Sequence, residues 1–276
     1  MTRAAIQGVR GAFSHAAAVQ ALGEEVDILE CRTFDALFRA VLGGDAEHGV
    51  VPVENTLAGS VQRAVDLLVE HPLHAVAEAR IRVRLCLIAP PGVEPGSVRR
   101  VASHPVALDQ CRAFFQRHPE IEAVTAFDTA GSVRDLMIGD GDYDAAIGSE
   151  LAASLYGAAV LERDLEDDSG NYTRFLVIAR DPAEPPRDRA VKTSLVLTLA
   201  HRPGALHSAL GCFAEHGVDL SRIESRPIPG RPWEYRFHID VRGASETAES
   251  AALEAVAEHV TELRVLGRYP EVAIQP

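Results

Sequence analysis

The run Asn171-Tyr172-Thr173-Arg174-Phe175 sets a hydroxyl donor beside a guanidinium. A guanidinium takes a carboxylate as a two-bond fork, and a threonine hydroxyl can donate to a departing oxygen. Alternation along a strand would turn Thr173 and Phe175 to one side. The plain alternative is a core Phe175, a strand-forming Thr173 and a surface Arg174. Four more polar clusters follow apolar runs: Gly8-Val9-Arg10-Gly11-Ala12-Phe13-Ser14, Val51-Pro52-Val53-Glu54-Asn55-Thr56 with Gly59-Ser60, Ala102-Ser103-His104-Pro105, and Asp128-Thr129-Ala130-Gly131. Taken singly, such residues cap the orphan amides of a helix's first turn. Together they would ring one cleft with hydroxyls, amides and helix N-termini, an environment suited to a small polyanion.

Positioning these clusters requires an α/β framework. Short runs rich in β-branched residues predict strands at Ala4–Gln7, Asp27–Glu30, Gly49–Val53, Ala75–Ala79, Arg82–Ile88, Val98–Ser103, Ala123–Ala126, Ala145–Ser149 and Phe175–Ala179, with helical periods between most of them. Open sheets of this kind bind ligands where strands hand over to helices, which is where the clusters lie. The charged, proline-dense stretch Asp181–Arg189 reads as a linker. Beyond it the pattern is βαββαβ: strands at Thr193–Ala200, Leu220–Arg226, Tyr235–Val241 and near Arg264, helices at Pro203–His216 and Ser245–His259.

Composition narrows the function. The net charge is −13 with no dense run of Lys and Arg, which argues against a nucleic-acid partner. No segment approaches a membrane span, and the first residues lack the apolar stretch of a signal peptide, so a cytoplasmic location is expected. Cys31, Cys86, Cys111 and Cys212 lack paired spacing, and the histidines form no array on one helical face; no metal and no disulfide are expected.

Thr173-Arg174-Phe175, preceded by Asn171, resembles the Thr-Arg-Phe signature of prephenate dehydratases. Gly8-x-x-Gly11-Ala12-Phe13-Ser14 resembles that family's opening turn, Pro52-Val53-Glu54-Asn55-Thr56 its Pro-Ile-Glu-Asn-Ser segment, and Ser103-His104-Pro105 with Ala107-Leu108 and Gln110-Cys111 its Ser-His-Pro block. Arg202-Pro203-Gly204-Ala205-Leu206 and Glu224-Ser225-Arg226-Pro227 are similar to the two signatures of its ACT domain. Val61–Val83 is also similar to plant arogenate dehydratases. Departures are Val106 for a common glutamine, Thr56 for serine and His207 for valine.

The resemblance implies a two-lobed, periplasmic-binding-protein-like α/β catalytic domain over 1–183, hinged near 80 and 170, and a ferredoxin-like ACT domain over 191–276. It implies decarboxylative dehydration of prephenate to phenylpyruvate without a cofactor. Thr173, Arg174 and Phe175 would be catalytic. Ser14, Glu54, Asn55, Thr56, Ser103, His104, Thr129 and Asn171 would bind substrate. L-Phenylalanine would be the effector, at Gly204, Ala205, Leu206, Glu224, Ser225, Arg226 and Pro227, in a homodimer or homotetramer. Arogenate as substrate, and a non-catalytic cytoplasmic amino-acid sensor, are the competing expectations.

Overall fold

The computed structural model describes residues 2–185, 189–243 and 245–272. Two compact units emerge, Met1–Leu67 with Ala79–Val177, and Leu68–Glu78 with Ile178–Pro276. The elements in chain order are β1 (Arg3–Gln7), α1 (Phe13–Leu22), β2 (Asp27–Cys31), α2 (Phe34–Gly43), β3 (His48–Asn55), β4 (Gly59–Ser60), α3 (Gln62–Glu70), β5 (His74–Arg82), β6 (Cys86–Ala89), β7 (Arg100–Ser103), α4 (Pro105–Asp109), α5 (Arg112–Arg117), β8 (Glu122–Thr125), α6 (Thr129–Ile138), β9 (Ala145–Gly148), α7 (Glu150–Tyr156), β10 (Ala159–Glu162) and β11 (Tyr172–Ala179). They are followed by β12 (Val191–Thr198), α8 (Ala205–Glu215), β13 (Asp219–Pro227), β14 (Tyr235–Arg242), α9 (Glu246–Ala257) and β15 (Glu262–Pro270).

The first unit is built on two sheets. One runs β2-β1-β3-β11-β5, with β4 paired to β3, and β1 lies parallel to both its neighbours. The other runs β10-β6-β9-β7-β8, with β7 parallel to β8 and β9. Parallel central strands buried on both faces account for near-continuous apolar segments such as Ala4, Ala5 and Ile6 or Ala145, Ala146 and Ile147, all fully buried. The same topology gathers the polar loops at the carboxyl ends of the strands.

The chain passes between the sheets twice, and the two passages are zipped together. Val83 N donates to Asn171 O at 2.7 Å, Leu165 N to Leu85 O at 2.9 Å, and Leu85 N to the buried Glu166 carboxylate at 2.8 Å. Arg84 grips Asp164 with two nitrogens at 2.8 and 2.9 Å. The apolar run read as strands Ala75–Ala79 and Arg82–Ile88 is divided differently: β5 continues to Arg82, and the break falls at Val83–Leu85, where backbone amides serve the passage instead of a ladder. Strands β4 and β10 leave no alternating pattern in the sequence, because one is two residues long and the other is half-buried throughout.

In the second unit the sheet order is β13-β14-β12-β15, with β12 antiparallel to both β14 and β15, which is the ferredoxin-like arrangement. Leu195, Leu197, Ile239 and Val241 pack with Ala209 and Phe213 of α8 and Ala252 and Val256 of α9. The opposite face is polar: Ser194 Oγ donates to Asp240 Oδ1 at 2.5 Å and lies 2.5 Å from the Tyr269 hydroxyl. Residues 68–78 belong to this unit, although the linker reading put the boundary only at 181–189. Two contacts explain it. A Cβ on Gly267 would lie 1.9 Å from Ala75 O, so only glycine lets the two backbones touch. Arg264 also donates to Val69 O and His71 O at 2.7 and 2.6 Å, satisfying carbonyls at and just beyond the end of α3.

All four cysteines are free and buried. Burial pushes Cys86 up to about 11 and Cys111 up to about 12, and raises Cys31 and Cys212 as well. We expect negligible reaction with a thiol-directed reagent at pH 8 in the native protein and four equivalents after denaturation. Because the folded form keeps the Cys86 and Cys111 protons past the point where unfolded thiols release theirs, stability is undiminished below the ordinary thiol range. It then falls above that range by about 1.4 kcal/mol per pH unit for each such thiol. A denaturant midpoint that does not move between pH 8 and pH 10 would contradict this.

Candidate active site

The opening turn is fastened before it can bind anything. Gly11 N donates to His15 Nδ1 at 3.0 Å, which requires a neutral ring nitrogen there. Burial, and then the Arg10 charge, lower the His15 pKa accordingly. Ser149 Oγ, the cap of α7, donates to Gly11 O at 2.5 Å, and the Tyr156 hydroxyl donates to Arg10 O at 2.7 Å. Thus the first loop of one sheet is docked on a helix of the other. Gly11 has φ +90°, and a Cβ there would stand 2.8 Å from Ala152 Cα. Gly11→Ala combines left-handed strain with overpacking, and we expect a loss of about 2–4 kcal/mol in denaturant unfolding. An unchanged midpoint would show that the loop moves freely off α7.

Asn55 organises the centre of the site. Its Oδ1 accepts from Leu57 N at 3.0 Å and Ala58 N at 2.8 Å, an Asx turn that follows β3. Its Nδ2 donates to Asn171 Oδ1 at 2.8 Å, Thr173 Oγ1 at 3.0 Å and Tyr172 O at 3.2 Å. Thr56 completes the seam: its N donates to Tyr172 O, its hydroxyl donates to Gly170 O at 2.8 Å, and the same oxygen accepts from Tyr172 N at 2.9 Å. The Thr56 hydroxyl therefore holds the loop before β11 and is committed to the backbone.

Thr173 and Arg174 part company across the sheet. Thr173 shares a face with Asn55, while Arg174 Nε lies 3.4 Å from Glu54 Oε2, the preceding residue on β3. Arg174 is 8% exposed and Phe175 2%, so Phe175 is core and supports β11 by packing. Although adjacent in the chain, the two side chains are separated by strand alternation, and Glu54 already answers part of the Arg174 charge.

Like Thr56, two further expected ligand contacts are tied within the fold. Ser103 is 0% exposed and its hydroxyl donates to Ile147 O at 2.8 Å, tying β7 to β9. Asn171 is also 0% exposed, with Oδ1 accepting from Asn55 and Nδ2 donating to Gln110 Oε1 at 3.0 Å. His104 caps α4, its Nδ1 accepting from Val106 N at 3.3 Å. Asp128 caps α6 through Gly131 N at 2.6 Å, leaving Thr129 as the helix's first, half-buried residue. Ser14, 8% exposed, is the second residue of α1. A cavity of about 370 Å³ opens between Gly8, Glu30 and Arg32 on one side and Phe127, Asp128 and Ser132 on the other. Gln110 stands in the Ser-His-Pro block with no role legible in the chain, because its buried amide partner lies sixty-one positions away, beyond any local pattern.

In the second unit, the turn ending in Gly204 (φ +79°) starts α8 with Ala205 buried and Leu206 partly buried. On β13, Glu224, Ser225, Arg226 and Pro227 pair with His238, Phe237, Arg236 and Tyr235. Arg236 also pairs with Thr198, so both motifs come to the same end of the sheet. Glu224 is ion-paired to Arg222. Among the described residues no group of three His, Cys, Asp or Glu is arranged to hold a metal ion, and no helix is long and apolar enough to cross a membrane.

A family model of prephenate dehydratase matches residues 4–183. Arogenate dehydratase/prephenate dehydratase 2, chloroplastic, of Arabidopsis thaliana is 41% identical over 280 residues, covering 97% of this chain and 72% of that protein. The crystal structure of prephenate dehydratase in complex with L-Phe from Arthrobacter aurescens superposes with a TM-score of 0.90 at 34% identity, covering 100% of this chain and 92% of the other. GqqA, described as a novel type of quorum quenching acylase, gives 0.88 at 34% identity with 98% of each chain covered.

Proposed function

Because the chain belongs to the prephenate dehydratase family, we propose that it converts prephenate to phenylpyruvate, water and carbon dioxide. The ring carboxylate leaves as carbon dioxide, its bonding electrons enter the ring, and the ring C–O bond breaks as the ring becomes aromatic. The departing hydroxide takes up one proton and leaves as water. What the protein must supply is a donor aimed at that oxygen and a grip on the remaining carboxylate.

The observation that carries this reading is the hydrogen bond from Asn55 Nδ2 to Thr173 Oγ1. With its oxygen accepting from the amide, the threonine hydroxyl is left to donate outward. Arg174, with Glu54 beside it, lies on the face of β11 opposite Thr173, and His104 and Thr129 sit at the strand–helix turns that would flank the ring. An acylase would need a nucleophile beside a base, and the Ser103 hydroxyl is bound to Ile147 O. Arogenate, which carries an amino group in place of the side-chain keto group, is the second reading, favoured by the double naming of the Arabidopsis relative.

We also propose L-phenylalanine as effector at the Gly204 turn and β13, since the Arthrobacter relative was crystallised with it. A cytoplasmic homodimer or homotetramer would present the β13 edge to a second copy. The test is turnover of both substrates by the purified protein, with and without phenylalanine. Phenylpyruvate formed from prephenate supports the reading, phenylalanine formed faster from arogenate shifts it to the second, and inertness to both ends it.

A further inference from the structure

We propose that Asn171 is a positioning residue that links the two sheets of the first unit and points the Thr173 hydroxyl, acting through Asn55 without touching the substrate; this rests on the function proposed above. The direction of the chain of amides is set by its ends. Leu57 N and Ala58 N can only donate, so Asn55 must present Oδ1 to them and Nδ2 the other way. Tyr172 O can only accept, which demands the same orientation. Asn171 must then offer Oδ1 to Asn55 and Nδ2 to Gln110, and Gln110 must offer Oε1. Turning any one of the three amides over would set donor against donor or acceptor against acceptor at the fully buried Asn171, where an unmade hydrogen bond is costly.

The ends of this chain sit on different sheets. Asn55 closes β3, whereas Gln110 caps α4 directly after β7, and its own carbonyl accepts from Asp167 N at 2.7 Å. Asp167 in turn accepts from Arg112 N and Ala113 N at 3.1 and 2.9 Å, fixing α5. Asn171 stands in the second passage between the sheets, held by Val83 N. The hydroxyl is therefore aimed correctly only while both sheets keep their present relation, and a shift of one against the other is felt at Thr173 as a lost or bent hydrogen bond.

A double-mutant cycle tests this against a merely structural role. In the otherwise natural protein, Asn171→Leu should lower kcat by about 10- to 100-fold, less than loss of the donor itself, with KM within about twofold. In a Thr173→Val background, where no hydroxyl remains to be aimed, the same change should cost no more than about twofold. Gln110→Leu, which cuts the far end of the chain, should behave alike and serves if Asn171→Leu does not fold. Equal losses in both backgrounds, or no loss in the natural one, would overturn the proposal. If the unmutated protein turns over neither prephenate nor arogenate, the functional reading fails first and the positioning role of Asn171 falls with it.

Discussion

Thr173→Ala should lower kcat for prephenate by roughly two to three powers of ten while leaving the fold and KM nearly unchanged, the loss known for removing one well-placed oxyanion donor. The hydroxyl's contribution grows as charge develops on the departing oxygen, so its loss appears in kcat more than in binding. Asn55 Nδ2, 3.0 Å from Thr173 Oγ1, is why this hydroxyl and not a neighbouring one would carry the task. The Thr56 oxygen is bound to Gly170 O and Tyr172 N, and the Ser103 hydroxyl to Ile147 O. Thr173→Ser, which keeps the oxygen, should retain activity within about tenfold. Near-normal turnover by Thr173→Ala would remove the residue from the reaction.

Lys192→Met should destabilise the second unit by about 3–5 kcal/mol, a large share of the roughly 5–15 kcal/mol by which a domain is held folded. Lys192 Nζ lies 3.1 and 3.0 Å from the two oxygens of Glu78 and 3.5 Å from Glu271 Oε1. Its side chain is 2% exposed and that of Glu78 0%. Removing the ammonium leaves a carboxylate in a place that excludes water. Replacing both, as Lys192→Met with Glu78→Leu, should recover much of the loss, because the pair's attraction roughly offsets its desolvation. Denaturant unfolding of the two variants settles the matter: if the double variant is no more stable than the single one, the cost arises from packing and not from the stranded charge.

Much of the architecture was legible in the chain. The alternation of β-branched runs with helical periods and the βαββαβ order after the linker are local properties, read within ten or fifteen residues. The polar clusters were equally local, because polar residues after buried strands mark the carboxyl ends of a parallel sheet. What local pattern cannot carry is a relation between distant residues. That residues 68–78 pack with the C-terminal unit depends on Gly267 and Lys192, each more than a hundred positions away.

Residue types, their order and the membership they imply in a family of dehydratases were determined by the sequence alone. Which of those residues are tied to partners inside the protein was decided by tertiary structure. Serine, asparagine and threonine serve equally as caps, as buried ties or as donors to a substrate, and only their partners distinguish these uses. Ser103 and Asn171 found partners inside the protein, whereas Thr173 was left with a proton to give.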